Sequence, residues 1–173
     1  MLAEVLEGTK PPKGKYLPNY PIVILNYDIL YAWVDWLLLL KPQLVIFDEC
    51  QALMGRFSRR TRSAKRFCKK IPSIAALSGT PLLNRPSELY PILNILRPDL
   101  FPSWFPFGYE FCGARKAPWG WVFNGATHLK KLHRILTDNL MVRRTKEEVL
   151  KDLPEKLRNV VPFKLNTAAM GEY

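Results

Sequence analysis

Four apolar residues, Leu44-Val45-Ile46-Phe47, run without interruption into two adjacent carboxylates, Asp48 and Glu49. No other stretch constrains the fold as much. A short continuous apolar run that stops at charge predicts a buried strand with an acidic pair at its carboxyl end. In open α/β sheets that border is where ligands bind. Ile74-Ala75-Ala76-Leu77 repeats the design and ends in Ser78-Gly79-Thr80-Pro81, small hydroxyl residues on a tight turn. Two such strands side by side would bring one acidic tip and one hydroxyl-bearing tip into a single crevice.

Composition narrows what surrounds that crevice. With 173 residues, 48% hydrophobic and 24% charged, the chain suits one ordinary domain with a real core rather than a disordered protein. A formal net charge of +11 favours a polyanionic partner, although a merely basic soluble protein would carry it too. The three cysteines, Cys50, Cys68 and Cys112, are far apart and form no Cys-x-x-Cys pair. That spacing argues against a disulfide framework or zinc site and for a reducing compartment. No basic segment precedes an apolar core at the start, so no signal peptide is expected. The most apolar span, residues 33–47, is broken by Asp35, Lys41 and Pro42 and is too short to cross a bilayer. A soluble intracellular chain is expected.

Residues 8–21 read as a proline-rich basic loop. They imitate a phosphate-binding loop but cannot be one. Gly8 to Gly14 is one residue too long, Tyr16 stands where a hydroxyl should reach magnesium, and Pro11 and Pro12 remove N–H donors. Residues 21–28 read as a further buried strand, and residues 29–40 as a helix stopped before Pro42. Residues 56–70 hold eight Arg and Lys and no carboxylate. Such a run is either a solvated helix face or a phosphate contact, and Arg56, Arg59, Arg60, Arg62 and Lys65 are the candidates for the latter. Residues 86–96 read as a helix with Leu89, Leu93 and Leu96 on one side, provided that Pro91 lies near its start. Residues 98–125 read as a loop-rich aromatic stretch in which packing outweighs base stacking. From Thr127, a plausible N-cap, Leu129, Leu132, Leu136 and Leu140 follow helical spacing. His128 and His133 lack a metal partner, and residues 141–153 read as a second basic helix.

Nucleotide hydrolysis needs one carboxylate to hold magnesium and another to orient or deprotonate the attacking water. Asp48 and Glu49 suit those tasks in that order, yet an adjacent acidic pair is also a common solvated turn. The Ser78–Thr80 hydroxyls shift the balance, because they could bond the acidic pair and sense its occupancy.

Asp48-Glu49-Cys50-Gln51, the basic residues 58–62 and Leu77-Ser78-Gly79-Thr80-Pro81 with Asn84-Arg85-Pro86 and Glu88-Leu89 behind it carry a resemblance. They resemble motif II, its basic extension and motif III of the Swi/Snf-type ATP-dependent DNA translocases of helicase superfamily two. Asn26-Tyr27-Asp28 is similar to the segment ahead of motif II. Phe107-Gly108, Phe111-Cys112, Trp119-Gly120-Trp121, Gly125, and Met141, Arg143, Arg144, Lys146, Val149, Leu150, Leu153, Pro154 and Lys156 resemble the annealing-helicase (HepA-related, HARP-like) branch. The match runs from about residue 20 to 163.

The resemblance implies an α/β fold: an incomplete RecA-like parallel-sheet lobe of P-loop NTPase type over residues 1–100. A helical protrusion would follow over residues 101–165, then a tail over 166–173. It implies ATP and magnesium as cofactors and double-stranded or branched DNA as partner. Asp48 would hold the metal, Glu49 would activate water, and Gln51, Ser78 and Thr80 would couple nucleotide state to DNA. Asn84 and Arg85 join the DNA-binding candidates. Gln51 departs from the family's usual His, though an amide can still donate one hydrogen bond and accept another. The phosphate-binding loop is expected before residue 1, and the second lobe with its arginine finger after residue 173, from flanking sequence or another chain. Alone, this chain is therefore expected to hydrolyse ATP negligibly. A standalone basic DNA-binding module derived from such an enzyme is the competing expectation, and a generic α/β binding domain is a distant third.

Overall fold

The computed structural model describes residues 3–12, 21–79 and 85–144. The chain divides after Leu140 into two units. The first holds β1 (Ala3–Val5), β2 (Ile22–Ile24), α1 (Leu30–Leu39), β3 (Leu44–Phe47), a 3-10 turn (Cys50–Leu53), α2 (Arg59–Cys68), β4 (Ser73–Ala76), α3 (Pro86–Leu96), α4 (Trp104–Phe111), β5 (Arg115–Ala117), β6 (Gly120–Val122) and α5 (Leu129–Asn139). The described residues of the second unit, 141–144, form no regular element. The expected helix over 141–153 and the tail otherwise lie outside the described residues, as do Thr80, Asn84 and most of the proline-rich loop.

Local chemistry sets the helix boundaries. Asn26 accepts the backbone N–H groups of Asp28 and Ile29 on its side-chain oxygen at 3.0 and 3.1 Å, turning the chain into α1. α1 buries Leu30, Trp33, Val34, Trp36 and Leu37. A helix so apolar must be covered on more than one side. It packs on α2, and the Trp33 indole N–H donates to the Gly8 carbonyl at 2.9 Å. Left-handed Lys41 (φ 52°) ends it ahead of Pro42. Ser58 caps α2 by accepting the Thr61 N–H at 3.2 Å, while the Thr61 hydroxyl donates to the buried Leu53 carbonyl at 2.8 Å. α2 turns Thr61, Ala64, Phe67 and Cys68 inward and its cations outward.

Parallel pairing joins β1 to β2 and β3 to β4, the latter in the register Leu44↔Ser73 through Phe47↔Ala76. The two expected strand tips are therefore neighbours. The sheet itself is less continuous than the sequence suggests. Among the described residues β2 and β3 are not hydrogen-bonded, and a cleft of about 1070 Å³ is lined by residues from both. Nor are these strands wholly buried. Phe47 is buried and Val45 half-buried, but the alternate residues Leu44 and Ile46 are 52% and 57% exposed, as Ile24 is at 50%. Strand side chains alternate between faces, and among the described residues only one face is covered. An apolar run records what both faces prefer, not whether both are filled.

Three local expectations need correction. Pro91 is not near the start of α3 but inside it, buried at the sixth position. It forfeits the bond to the Ser87 carbonyl. The helix continues because Leu89, Tyr90, Ile92, Leu93 and Ile95 are buried around it and Asn94, itself buried, donates to the Phe101 carbonyl at 2.7 Å. The aromatic stretch is not loop-rich but folds into α4 and an antiparallel β5–β6 hairpin. Gly108 permits that packing, since a Cβ there would lie 3.0 Å from the Phe123 ring. Gly113 (φ +57°) and Gly125 close the loop; a Cβ on Gly113 would meet the Gly125 Cα at 3.0 Å. Thr127 is not the N-cap of α5. Left-handed His128 takes that position, and the Thr127 hydroxyl donates to the Glu110 carbonyl at 2.6 Å.

Candidate functional site

The β3 and β4 ladder continues past the strands. Leu77 N–H donates to the Phe47 carbonyl at 2.8 Å, and Cys50 N–H donates to the Leu77 carbonyl at 2.9 Å. Asp48 and Glu49 thereby emerge beside Ser78. Both carboxylates are exposed. An Asp48 oxygen accepts the Glu49 N–H at 3.0 Å, and Glu49 sits in the left-handed region (φ 46°, ψ 55°), an unfavourable place for a residue with a Cβ. That twist starts the 3-10 turn and separates the directions of two side chains that are neighbours in sequence.

Gln51 joins the two tips. Its Nε2 donates to Glu49 Oε2 at 2.6 Å, and its Oε1 accepts from the Ser78 hydroxyl at 2.8 Å. The hydroxyl strand thus reaches the acidic pair through an amide rather than directly. From the end of β2, Tyr27 donates its hydroxyl to the Asp48 carbonyl at 2.6 Å and stacks on Phe47. Burial, then the neighbouring Cys50, Asp48 and Glu49, push the Tyr27 phenol up to about 12, so it remains a donor at neutral pH. Burial likewise raises the Cys50 thiol, which packs as a small apolar side chain. Nothing in the spacing of Asn26-Tyr27-Asp28 marks Tyr27 as part of the site, because its contacts with Asp48, 21 residues further along the chain, and with Phe47 are long-range.

Magnesium takes one or two carboxylates and completes its shell with waters and phosphate oxygens. Asp48 fits: it is solvent-facing, and one of its oxygens carries only a neighbouring amide bond. Among the described residues no group of three or more His, Cys, Asp and Glu could form an all-protein metal cage.

The basic candidates separate into two sets. Arg56 lies between two rings, its guanidinium 4.4 Å from the Phe57 centroid and 4.1 Å from that of Trp104. Arg59 covers Tyr31 at 3.8 Å, Arg60 pairs with Asp28 at 2.6 Å, and Arg66 pairs with Asp35. These contacts bind α2 and its leading loop to α1 and α4. Arg62, Lys65 and Lys69 have no carboxylate partner among the described residues. At about 100° per residue they share one side of α2, away from its buried face. Arg85 caps α3 through its backbone, its N–H lying 3.4 Å from Glu88 Oε2.

Residues 4–173 match the SNF2-related domain, and the chain belongs to that family. Among its relatives, the SWI/SNF-related matrix-associated actin-dependent regulator of chromatin subfamily A-like protein 1 of Xenopus tropicalis is 36% identical over 140 residues, covering 81% of this chain. The Bos taurus protein of that name is 40% identical over 135 residues, 77% of the chain. The mouse DNA annealing helicase and endonuclease ZRANB3 is 34% identical over 164 residues, 90% of the chain. The chain spans only 14–15% of the length of these three relatives. Among the described residues no helix is long and apolar enough to cross a membrane.

Proposed function

We propose that this chain is part of the ATPase motor of an ATP-dependent DNA translocase or annealing helicase, in which ATP hydrolysis is coupled to remodelling of duplex or branched DNA. The observation that carries this reading is the hydrogen-bonded line Ser78–Gln51–Glu49 across the carboxyl ends of two paired parallel strands. Asp48 would hold magnesium, which when bound neutralises charge on the phosphates. Glu49 would orient the attacking water and receive its proton as the water oxygen bonds the terminal phosphorus and the bond to the departing ADP oxygen breaks. Gln51 positions the Glu49 carboxylate and reports its state to Ser78; Thr80 is assigned to the same coupling, and Asn84 and Arg85 to DNA binding. Arg62 and Lys65 contact DNA phosphates, whereas Arg56, Arg59 and Arg60 hold the basic helix in place.

Positioning and charge stabilisation dominate phosphoryl transfer. With no phosphate-binding loop in its sequence, the chain alone should turn ATP over no faster than its Glu49→Gln variant. The positive test exchanges the chain for the matching segment of the mouse annealing helicase, with which it aligns over 164 residues. DNA-stimulated ATP hydrolysis should survive the exchange and fall about a hundredfold or more with Glu49→Gln. An exchange that folds and hydrolyses ATP equally well with Glu49→Gln would refute the assignment. The second reading, a basic DNA-binding module without catalysis, draws on Arg62 and Lys65 of α2 and on Lys69 just past its end, exposed cations with no carboxylate or ring partner among the described residues. Duplex binding by the chain, together with an exchange devoid of hydrolysis, would favour it.

A further inference from the structure

The outer face of α4 and the β5–β6 hairpin together form a shelf of aromatic rings. On the inner side of α4, Phe107 and Phe111 are buried against Phe101 and Tyr90. Phe105 and Tyr109, one turn apart, face outward instead and are 49% and 57% exposed. Their rings stack at 6.2 Å and 27°. Trp121 of β6 sets its edge against both, 5.9 Å from Phe105 and 5.6 Å from Tyr109, and stays 44% exposed. Trp119, in the hairpin turn, is 82% exposed. Single exposed aromatics are ordinary, but adjoining rings held open on a braced frame mark a recognition surface.

Charge identifies the occupant. Lys116 pairs with Trp121 in the antiparallel register, so both side chains rise from the same side of the hairpin. Arg115 is its exposed neighbour. Between Glu110 and Asp138 the chain has no carboxylate, and those two are paired with Lys131 and Arg134. Ring faces beside uncompensated cations suit a ligand with flat π surfaces on an anionic backbone. Duplex DNA hides its base faces within the stack. Unpaired nucleotides offer them.

We infer that the Phe105–Tyr109–Trp121 shelf, with Trp119 and Lys116 at its edge, binds unpaired nucleotides of a single strand by base stacking. This surface shares no residue with the cationic side of α2 and does not depend on Asp48 or Glu49 hydrolysing ATP.

The test titrates the full chain with a labelled oligothymidylate and with an abasic strand of equal length, reading anisotropy and tryptophan fluorescence. Binding of the oligothymidylate should quench the fluorescence and be tighter than that of the abasic strand. Trp119→Ala should weaken it roughly fivefold or more, Trp119→Phe should restore most of the loss, and neither should change abasic binding. Trp119 is too exposed for its replacement to alter melting, which circular dichroism verifies. Lys116→Gln should flatten the salt dependence. Equal affinity for both strands, or wild-type binding by Trp119→Ala, would overturn the inference. So would a dimer, seen by sedimentation, that Trp119→Ala dissociates, since the shelf would then serve a second copy.

Discussion

Ser78 and Gln51, 27 residues apart in sequence, share a 2.8 Å hydrogen bond in which the serine donates and the amide oxygen accepts. The same amide donates from its nitrogen to Glu49. Only a side chain that accepts on one side and donates on the other can keep both bonds. A neutral imidazole meets that requirement, an alkyl group does not, and a carboxylate would set like charge against Glu49.

Gln51→His should therefore fold with near-native stability, whereas Gln51→Leu should lose about 1 kcal/mol in urea unfolding. Gln51→Glu should be less stable than Gln51→Leu at neutral pH, and the gap should narrow as the pH falls into the carboxylate range. In a cycle of Gln51→Leu and Ser78→Ala, the double variant should lose less than the sum of the single losses. Additive losses would show that the two side chains do not act together.

Arg56 ties the loop after the acidic strand to α4, because its guanidinium lies over both Phe57 and Trp104. Burial lowers its pKa from the usual value, yet it remains charged at any physiological pH. Arg56→Ala should cost about 1–2 kcal/mol, and Arg56→Lys should recover little of it, since an ammonium cannot stack as a planar guanidinium does. Near-ultraviolet circular dichroism of Trp104 should change with both variants. Unchanged stability in either would argue that the two rings merely border the arginine.

On α2 the two sets of cations should respond to different measurements. Neutralising Arg62, Lys65 and Lys69 to Gln should leave unfolding nearly unchanged. It should flatten the slope of log affinity against log salt for duplex DNA by about 0.9 for each phosphate no longer neutralised. Arg60→Gln and Arg66→Gln should act in the opposite sense, lowering stability slightly by removing exposed pairs with Asp28 and Asp35. A reversal of the two patterns would reassign the helix.

At the end of α3 the Arg97 guanidinium donates to Asp99 at 2.6 Å and to the Asn139 carbonyl, the last residue of α5, at 3.3 Å. The Arg97 hydrogen bonds hold the Asp99 carboxyl down at about 2. A folded-state pKa below the unfolded value of about 3.9 means that this interaction contributes fully above pH 4 or so. Its contribution is lost as the pH falls through about 2. Carbon-detected titration of Asp99 should show the depressed midpoint, and Arg97→Gln should return it to the ordinary carboxylate range. A wild-type midpoint near 4 would contradict this geometry.

Parts of the architecture could be read from residues alone because their causes are local. Residues 29–40 read as a helix and α1 spans Leu30–Leu39, since an apolar run between Asn26 and Pro42 has little alternative. The α3 span was equally legible at both ends, Pro86 and Leu96. Its interior was not, because Pro91 is tolerated by burial among side chains that are remote in sequence. The aromatic residues 104–123 followed the same logic: hairpin and helix depend on Gly108, Gly113 and Gly125 permitting close approach. No periodicity announces that.

Sequence by itself determined that an acidic strand end and a hydroxyl strand end exist, because apolar runs and abrupt polar stops are written in consecutive residues. Only tertiary structure decided how they communicate: the left-handed turn at Glu49 and the parallel register of β3 with β4 put the Gln51 amide between them. Tertiary structure also divided one cationic run into arginines that meet a ring or a carboxylate and cations that meet neither among the described residues. The physical reason is common to both outcomes. Hydrogen bonds and ion pairs act over about 3 Å in space, and sequence spacing does not record which distant groups will be that near.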